Sequence, residues 1–122
     1  MIYLVDADES TSVGLQRLLT VEGFEVTTFA SVAPMLASCT LGEQDLVIID
    51  TDHCEVDPIN ALAQLGQDKE GAAVIVLHLP QHAANERTLR AVAKNSGAVG
   101  FFSKPIDGFA LLDAVRFATA DH

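Results

Sequence analysis

Basic residues are scarce in this chain: seven lysines and arginines stand against seventeen acids in 122 residues, a formal net charge of −10. That balance argues against direct nucleic-acid binding, because phosphate contacts need a basic footprint. Solubility and a basic or cationic partner suit the acidity better. Cysteine is equally sparse. Cys39 and Cys54 cannot make a framework of bridges and read as buried or idle thiols of a cytoplasmic protein. No apolar stretch is long enough to cross a membrane, and the short apolar run before Asp6 is no signal peptide. Internal repeats, low-complexity tracts and linkers are missing. So are GxGxxG, Walker and nucleophile-elbow motifs, which leaves little for a nucleotide binder or a hydrolase.

What is present is a packed core. Apolar residues make up 49% of the chain, enough to fold one domain over 1–122 without disulfides or structural metal. Three apolar runs each stop at a charge: Ile2-Tyr3-Leu4-Val5 at Asp6, Leu46-Val47-Ile48-Ile49 at Asp50, and Val99-Gly100-Phe101-Phe102-Ser103 at Lys104-Pro105. Short continuous runs are how strands buried on both faces read. Strands are expected at 2–5, 24–29, 46–49, 73–77 and 99–102. Helices fit at about 10–22, 31–39, 58–66, 82–95 and from 107 onward. Asp8, Ser10 or Ser12 can cap the first helix, Ser31 the second, Asp57 the third and Asp107 the last. Leu15, Leu18 and Leu19 mark the first helix's buried face, and the last helix carries Phe109, Leu112, Val115 and Phe117. Strict alternation implies an α/β fold, a parallel sheet covered on both faces by right-handed crossovers. Charges at strand ends then share the sheet's carboxyl edge, where such sheets place their ligands.

The segments Leu4-Val5-Asp6-Ala7-Asp8-Glu9-Ser10, Asp45-Leu46-Val47-Ile48-Ile49-Asp50, Gly97-Ala98-Val99-Gly100-Phe101-Phe102 and Ser103-Lys104-Pro105 resemble, in order and spacing, those of response-regulator receiver domains. The stretch from Gly23 to Ser31 resembles that family's second-strand region. The resemblance implies a flavodoxin-like, doubly wound five-stranded sheet of order 2-1-3-4-5 with five helices. It also implies phosphorylation of Asp50 by a histidine kinase or phosphotransfer protein, with Lys104 as the neutralising cation before a cis proline. Phe101 falls at the family's switch aromatic. The signal would pass through the face made by helix 4, strand 5 and helix 5 to an effector domain or protein. Turnover beyond self-phosphorylation and self-dephosphorylation at Asp50 is not expected.

Several positions depart from the family's pattern. The family's first strand ends in two adjacent acids, the second a metal ligand; here Asp6 is followed by Ala7, and Asp8 starts from another direction. Mg²⁺ tolerates displaced ligands poorly, so its binding through Asp6, Asp50 and Asp52 is expected to be weak or absent. Asp52 offers a backbone carbonyl and a carboxylate in partial compensation. The family's hydroxyl at the end of strand four is replaced by His78, which can donate to an oxyanion, fill the phosphoryl's space, or pair with Asp50. His53, Cys54 and Pro58 replace other common residues of the loop after Asp50. The interval from His78 to Lys104 is longer than usual, with the excess in the turn at 79–82 or the helix beyond it. A zinc site from His53, Cys54, His78 and Asp50 has no HxxxH or CxxC pair behind it. Arg87, Arg90 and Lys94 share one face of the fourth helix, either a partner site or a solvated stripe. Two functions follow: a phosphoacceptor module, or a degenerate receiver that works through protein contacts without phosphorylation. In either case the chain suits a stand-alone protein or the N-terminal part of a longer regulator.

Overall fold

A computed structural model describes residues 1–53, 57–68, 71–78 and 83–119. Strand β1 (Ile2–Val5) leads through helix α1 (Glu9–Val21) to β2 (Val26–Phe29), and α2 (Val32–Ser38) leads to β3 (Leu46–Asp50). One turn of 3-10 helix, Thr51–His53, follows β3. Then come α3 (Pro58–Asp68), β4 (Ala73–His78), α4 (Ala83–Asn95), β5 (Ala98–Ser103) and α5 (Gly108–Thr119). The strands make one sheet in the order β2-β1-β3-β4-β5, and every neighbouring pair is parallel. The alternation of apolar runs and helices implied the parallel sheet, and the doubly wound order is the one the resemblance implied.

Side chains on successive strand positions point to opposite faces, so each apolar run feeds two cores. Val5, Val47, Ile49, Val74 and Val76 pack under α2, α3 and α4, against Met35, Leu62, Leu65 and Leu89. Ile2, Leu4, Leu46, Ile48, Ile75 and Leu77 pack against α1 and α5 through Leu19, Leu111, Leu112 and Val115. All five residues of β3 are buried. A central strand is covered on both faces, and its final residue, Asp50, is carried under that cover.

The helix ends follow local chemistry. Asp8 caps α1, its carboxylate accepting from the Thr11 amide at 3.1 Å. Asp57 Oδ1 accepts from the Ile59 amide at 3.0 Å, and Asp107 Oδ1 from the Phe109 amide at 3.0 Å. Gly23 and Gly97 follow α1 and α4 with φ of +92° and +83°, a region that a Cβ disfavours. Ser31 flanks α2 without a side-chain capping bond. Cys39 is half-buried, and its thiol donates to the Met35 carbonyl at 3.0 Å.

One expectation needs correcting. Strand β2 begins at Val26 rather than at 24; Phe24 packs instead on the core beneath α1 and α5. On α5, Phe109 and Phe117 are 84% and 71% exposed, while Leu111, Leu112 and Val115 are buried. Helical period decides this. Leu111, Leu112 and Val115 share one stripe, and the two aromatics fall on the opposite side. Cys54 and the turn at 79–82 lie outside the described residues. Among the described residues, no helix is long and apolar enough to cross a membrane.

Candidate functional site

The register that pairs Val5 with Ile49 sets Asp6 and Asp50 side by side where β1 and β3 end. Both are buried, Asp50 completely. Each carboxylate closes a turn with the amide two residues on: Asp6 Oδ1 accepts from the Asp8 amide at 2.9 Å, and Asp50 Oδ1 from the Asp52 amide at 3.0 Å. Such self-bonded aspartates turn the chain out of the strand while leaving the second oxygen at the sheet's edge. Thr51, buried beside Asp50, donates its hydroxyl to the Leu77 carbonyl at 2.9 Å and ties the turn to β4.

Lys104 arrives from the other side. His78 pairs with Ser103 at the end of β4 and β5, and the Lys104 amide donates to the His78 carbonyl at 2.7 Å. The Lys104–Pro105 peptide is cis, as the resemblance implied. Lys104 Nζ lies 2.7 Å from Asp50 Oδ2 and 3.2 Å from Asp52 Oδ2. Burial alone lowers the tendency of this ammonium to hold its proton. Hydrogen bonds and charge from Asp50, then from Asp52, outweigh burial, and the net displacement is above the ordinary lysine value. A cavity of about 330 Å³ opens beside it, lined by Thr11, Leu15, Asp52, Leu77, Lys104 and Ile106.

His78 is 2% exposed, with Nε2 3.0 Å from Ser103 Oγ. Its ring packs on Phe101, the centroids 4.3 Å apart and the planes inclined at 48°. The Arg90 guanidinium carbon stands 4.4 Å from the centroid of that same Phe101 ring. Of the residues singled out from the sequence, Asp50, Asp52 and Lys104 therefore meet directly, Asp6 stands on the adjoining strand end, and His78 and Phe101 touch each other. One participant was not anticipated, and one anticipated residue has a different partner. Ser103 was part of a quoted motif, but nothing in the sequence pointed its hydroxyl at His78. Asp52 was weighed as a metal ligand, whereas its carboxylate bonds to Lys104. The signal for it was the shared charge of an acid two residues past a strand-end acid.

Residues 2–116 match the family model of the response regulator receiver domain. The chain belongs to that family. It is 32% identical over 118 residues to the transcriptional regulatory protein GlrR of Escherichia coli, covering 93% of this chain and 25% of that one. To the response regulator protein TodT of Pseudomonas putida it is 28% identical over 119 residues, 97% of this chain and 50% of the other. The chain thus spans a quarter to a half of the curated relatives it matches. The signal receiver domain of an HD domain-containing protein from Pseudomonas fluorescens superimposes with a TM-score of 0.79 at 30% identity, over 97% and 85% of the two chains. A response regulator from Colwellia psychrerythraea gives 0.80 at 21% identity, over 98% and 97%, a likeness of fold.

Receiver domains generally bind Mg²⁺ at an acidic pocket. The residues here do not fit that ion. Ala7 offers no side-chain oxygen, and the Asp8 carboxylate is engaged in capping α1, with the Thr11 amide and hydroxyl both bonded to it. The Asp50 and Asp52 carboxylates converge on Lys104 Nζ. Among the described residues, no group of three or more acidic, histidine or cysteine side chains can hold a metal. Octahedral Mg²⁺ needs several oxygens at close range, and an ammonium already between two of them adds like-charge repulsion.

Proposed function

We propose that this chain is the receiver module of a two-component relay and that Asp50 is its phosphoacceptor. The donor is the phosphohistidine of a histidine kinase or phosphotransfer protein. One observation carries the reading: a carboxylate buried at the end of a central strand, with an ammonium 2.7 Å from its outer oxygen. In the transfer, an Asp50 carboxylate oxygen attacks phosphorus. A P–O bond forms as the P–N bond breaks, and the pair from that bond stays on the departing imidazole. Lys104 stabilises the charge gathered on the phosphoryl oxygens, which is the main help such a transfer needs. The product is an acyl phosphate, with new charge beside His78 and, through it, Phe101. The α4, β5 and α5 face then carries the signal to an effector domain or protein. The names of GlrR and its kind suggest that the output is transcription.

A second reading is favoured by the missing metal donor at Ala7 and by the His78 ring at the end of β4. On that reading the module keeps the fold and signals through protein contacts without phosphorylation. Incubation with acetyl phosphate separates the two. The first reading expects an intact-mass gain of one phosphoryl group that is absent in Asp50→Asn. A folded chain that gains nothing, with or without Mg²⁺, supports the second and overturns the first.

A further inference from the structure

The cavity beside Lys104 has walls and charge that phosphoryl transfer to Asp50 does not use. About 330 Å³ in volume, it lies between the first turns of α1 and the chain leaving β5. Ligand pockets run from about 300 to 1,000 Å³, so this one suits a small molecule. Its walls are apolar, from Leu15, Leu77 and Ile106, and Thr11, Asp52 and Lys104 supply its polar groups. Charge around it is predominantly negative. One ammonium, Lys104 Nζ, is shared by two carboxylates, Asp50 at 2.7 Å and Asp52 at 3.2 Å. Asp6 stands on the adjoining strand end, and Asp8 heads α1. The first turn of α1 would otherwise draw an anion, but its Thr11 amide is already given to the Asp8 carboxylate. Asp52 faces the cavity and is 26% exposed, whereas Asp50 is buried.

We propose that this cavity binds a small organic ammonium, a protonated primary amine carrying a short apolar tail. Charge complementarity selects the sign of the ligand, since an anion would meet Asp52 as a like charge. The ammonium brings three N–H donors, and a carboxylate accepts several hydrogen bonds at once. Asp52 can therefore hold Lys104 and the ligand together. The Thr11 hydroxyl donates to Asp8 and keeps its lone pairs for a second bond to the ligand. The apolar walls select the tail, because covering Leu15, Leu77 and Ile106 is favourable in proportion to the area removed from water. The donor set that fails Mg²⁺ suits this ligand. Octahedral Mg²⁺ needs several oxygens at fixed short distances, whereas an alkylammonium is held by two or three acceptors and by its tail. The inference goes beyond the phosphoacceptor reading, because binding rests on Asp52, Thr11 and the apolar walls rather than on chemistry at Asp50.

The test uses the full chain, unphosphorylated and ¹⁵N-labelled, titrated with hexylamine at neutral pH. Saturable shifts at the amides of Thr11, Leu15, Asp52 and Ile106 are expected. Ammonium ion carries the charge without the tail, and hexanol the tail without the charge. Each should bind about tenfold more weakly than hexylamine, and hexanoate should give no saturable shift at these amides. Asp52→Asn should weaken hexylamine about tenfold, and Ile106→Ala about threefold, the latter without changing the response to ammonium ion. Because binding is read without phosphorylation, and is expected to persist in Asp50→Asn, its failure is distinct from failure of the phosphoacceptor reading. Absence of saturable shifts overturns the proposal, as does binding equal to that of hexylamine by hexanol or hexanoate, or undiminished binding in Asp52→Asn. A lysine-containing tripeptide blocked at both ends that binds as tightly as hexylamine would make the source a partner's side chain. That result also overturns the proposal.

Discussion

Lys104 holds more of the pocket's electrostatics than any other side chain, because two carboxylates bond to one ammonium that is 16% exposed. Removing it takes the ammonium 2.7 Å from Oδ2 away from Asp50, a carboxylate that is 0% exposed. Lys104→Met should therefore cost about 3–5 kcal/mol in urea unfolding, the range for stranding one member of a buried pair. Asp50→Asn should cost less. The ammonium keeps Asp52 at 3.2 Å, and Asp6 loses a like-charged neighbour. Equal losses would mean that the pair, rather than the stranded carboxylate, sets the cost. The pH dependence follows from the direction of the lysine's displacement. Its proton is held more tightly in the folded chain, so the pair's contribution is complete below the ordinary lysine value of 10.5 and fades as pH rises through the raised one. Chemical unfolding followed from neutral to strongly alkaline pH should show this decline in the natural chain and a flatter course in Lys104→Met.

At the scale of elements, the central strands were legible because burial on both faces demands unbroken apolar runs, and 46–50 and 73–78 supply them. Strand β2 was less so. It lies at the sheet's edge with a mixed burial pattern, and Phe24 was read as strand when it packs from the preceding turn. On α5 the aromatics were named for their type, although the helical stripe runs through Leu111, Leu112 and Val115. Asp8 shows a different limit. A carboxylate next to a strand end can serve a ligand or a helix, and sequence alone does not choose. The Thr11 amide and hydroxyl decide for the helix. Asp8→Ala should thus destabilise the fold by about 0.5–2 kcal/mol, the usual cost of losing an N-cap, seen as a lower melting temperature. A variant with an unchanged melting temperature would show that the cap contributes nothing and that Asp8 is available for another role.

For the whole molecule, parallel strands gather their carboxyl ends on one rim, so that residues 50 and 104 meet and residue 6 stands on the adjoining strand end, although the sequence keeps all three far apart. The partners of His78 were not readable. Ser103 and Phe101 reach it only through the register of β4 on β5, which includes a shift between Val74 and Ile75. The receiver fold is intact, yet the cation in its acidic pocket is the chain's own lysine, with Ala7 where the family pattern has an acidic oxygen. Amide shifts of ¹⁵N-labelled protein during a Mg²⁺ titration test that claim most directly. The natural chain should show no saturable change at residues 6–8 and 50–52 through the millimolar range, whereas Ala7→Asp should bind measurably tighter by adding an oxygen ligand at the pocket. Saturable binding by the natural chain as tight as that of Ala7→Asp would contradict the account.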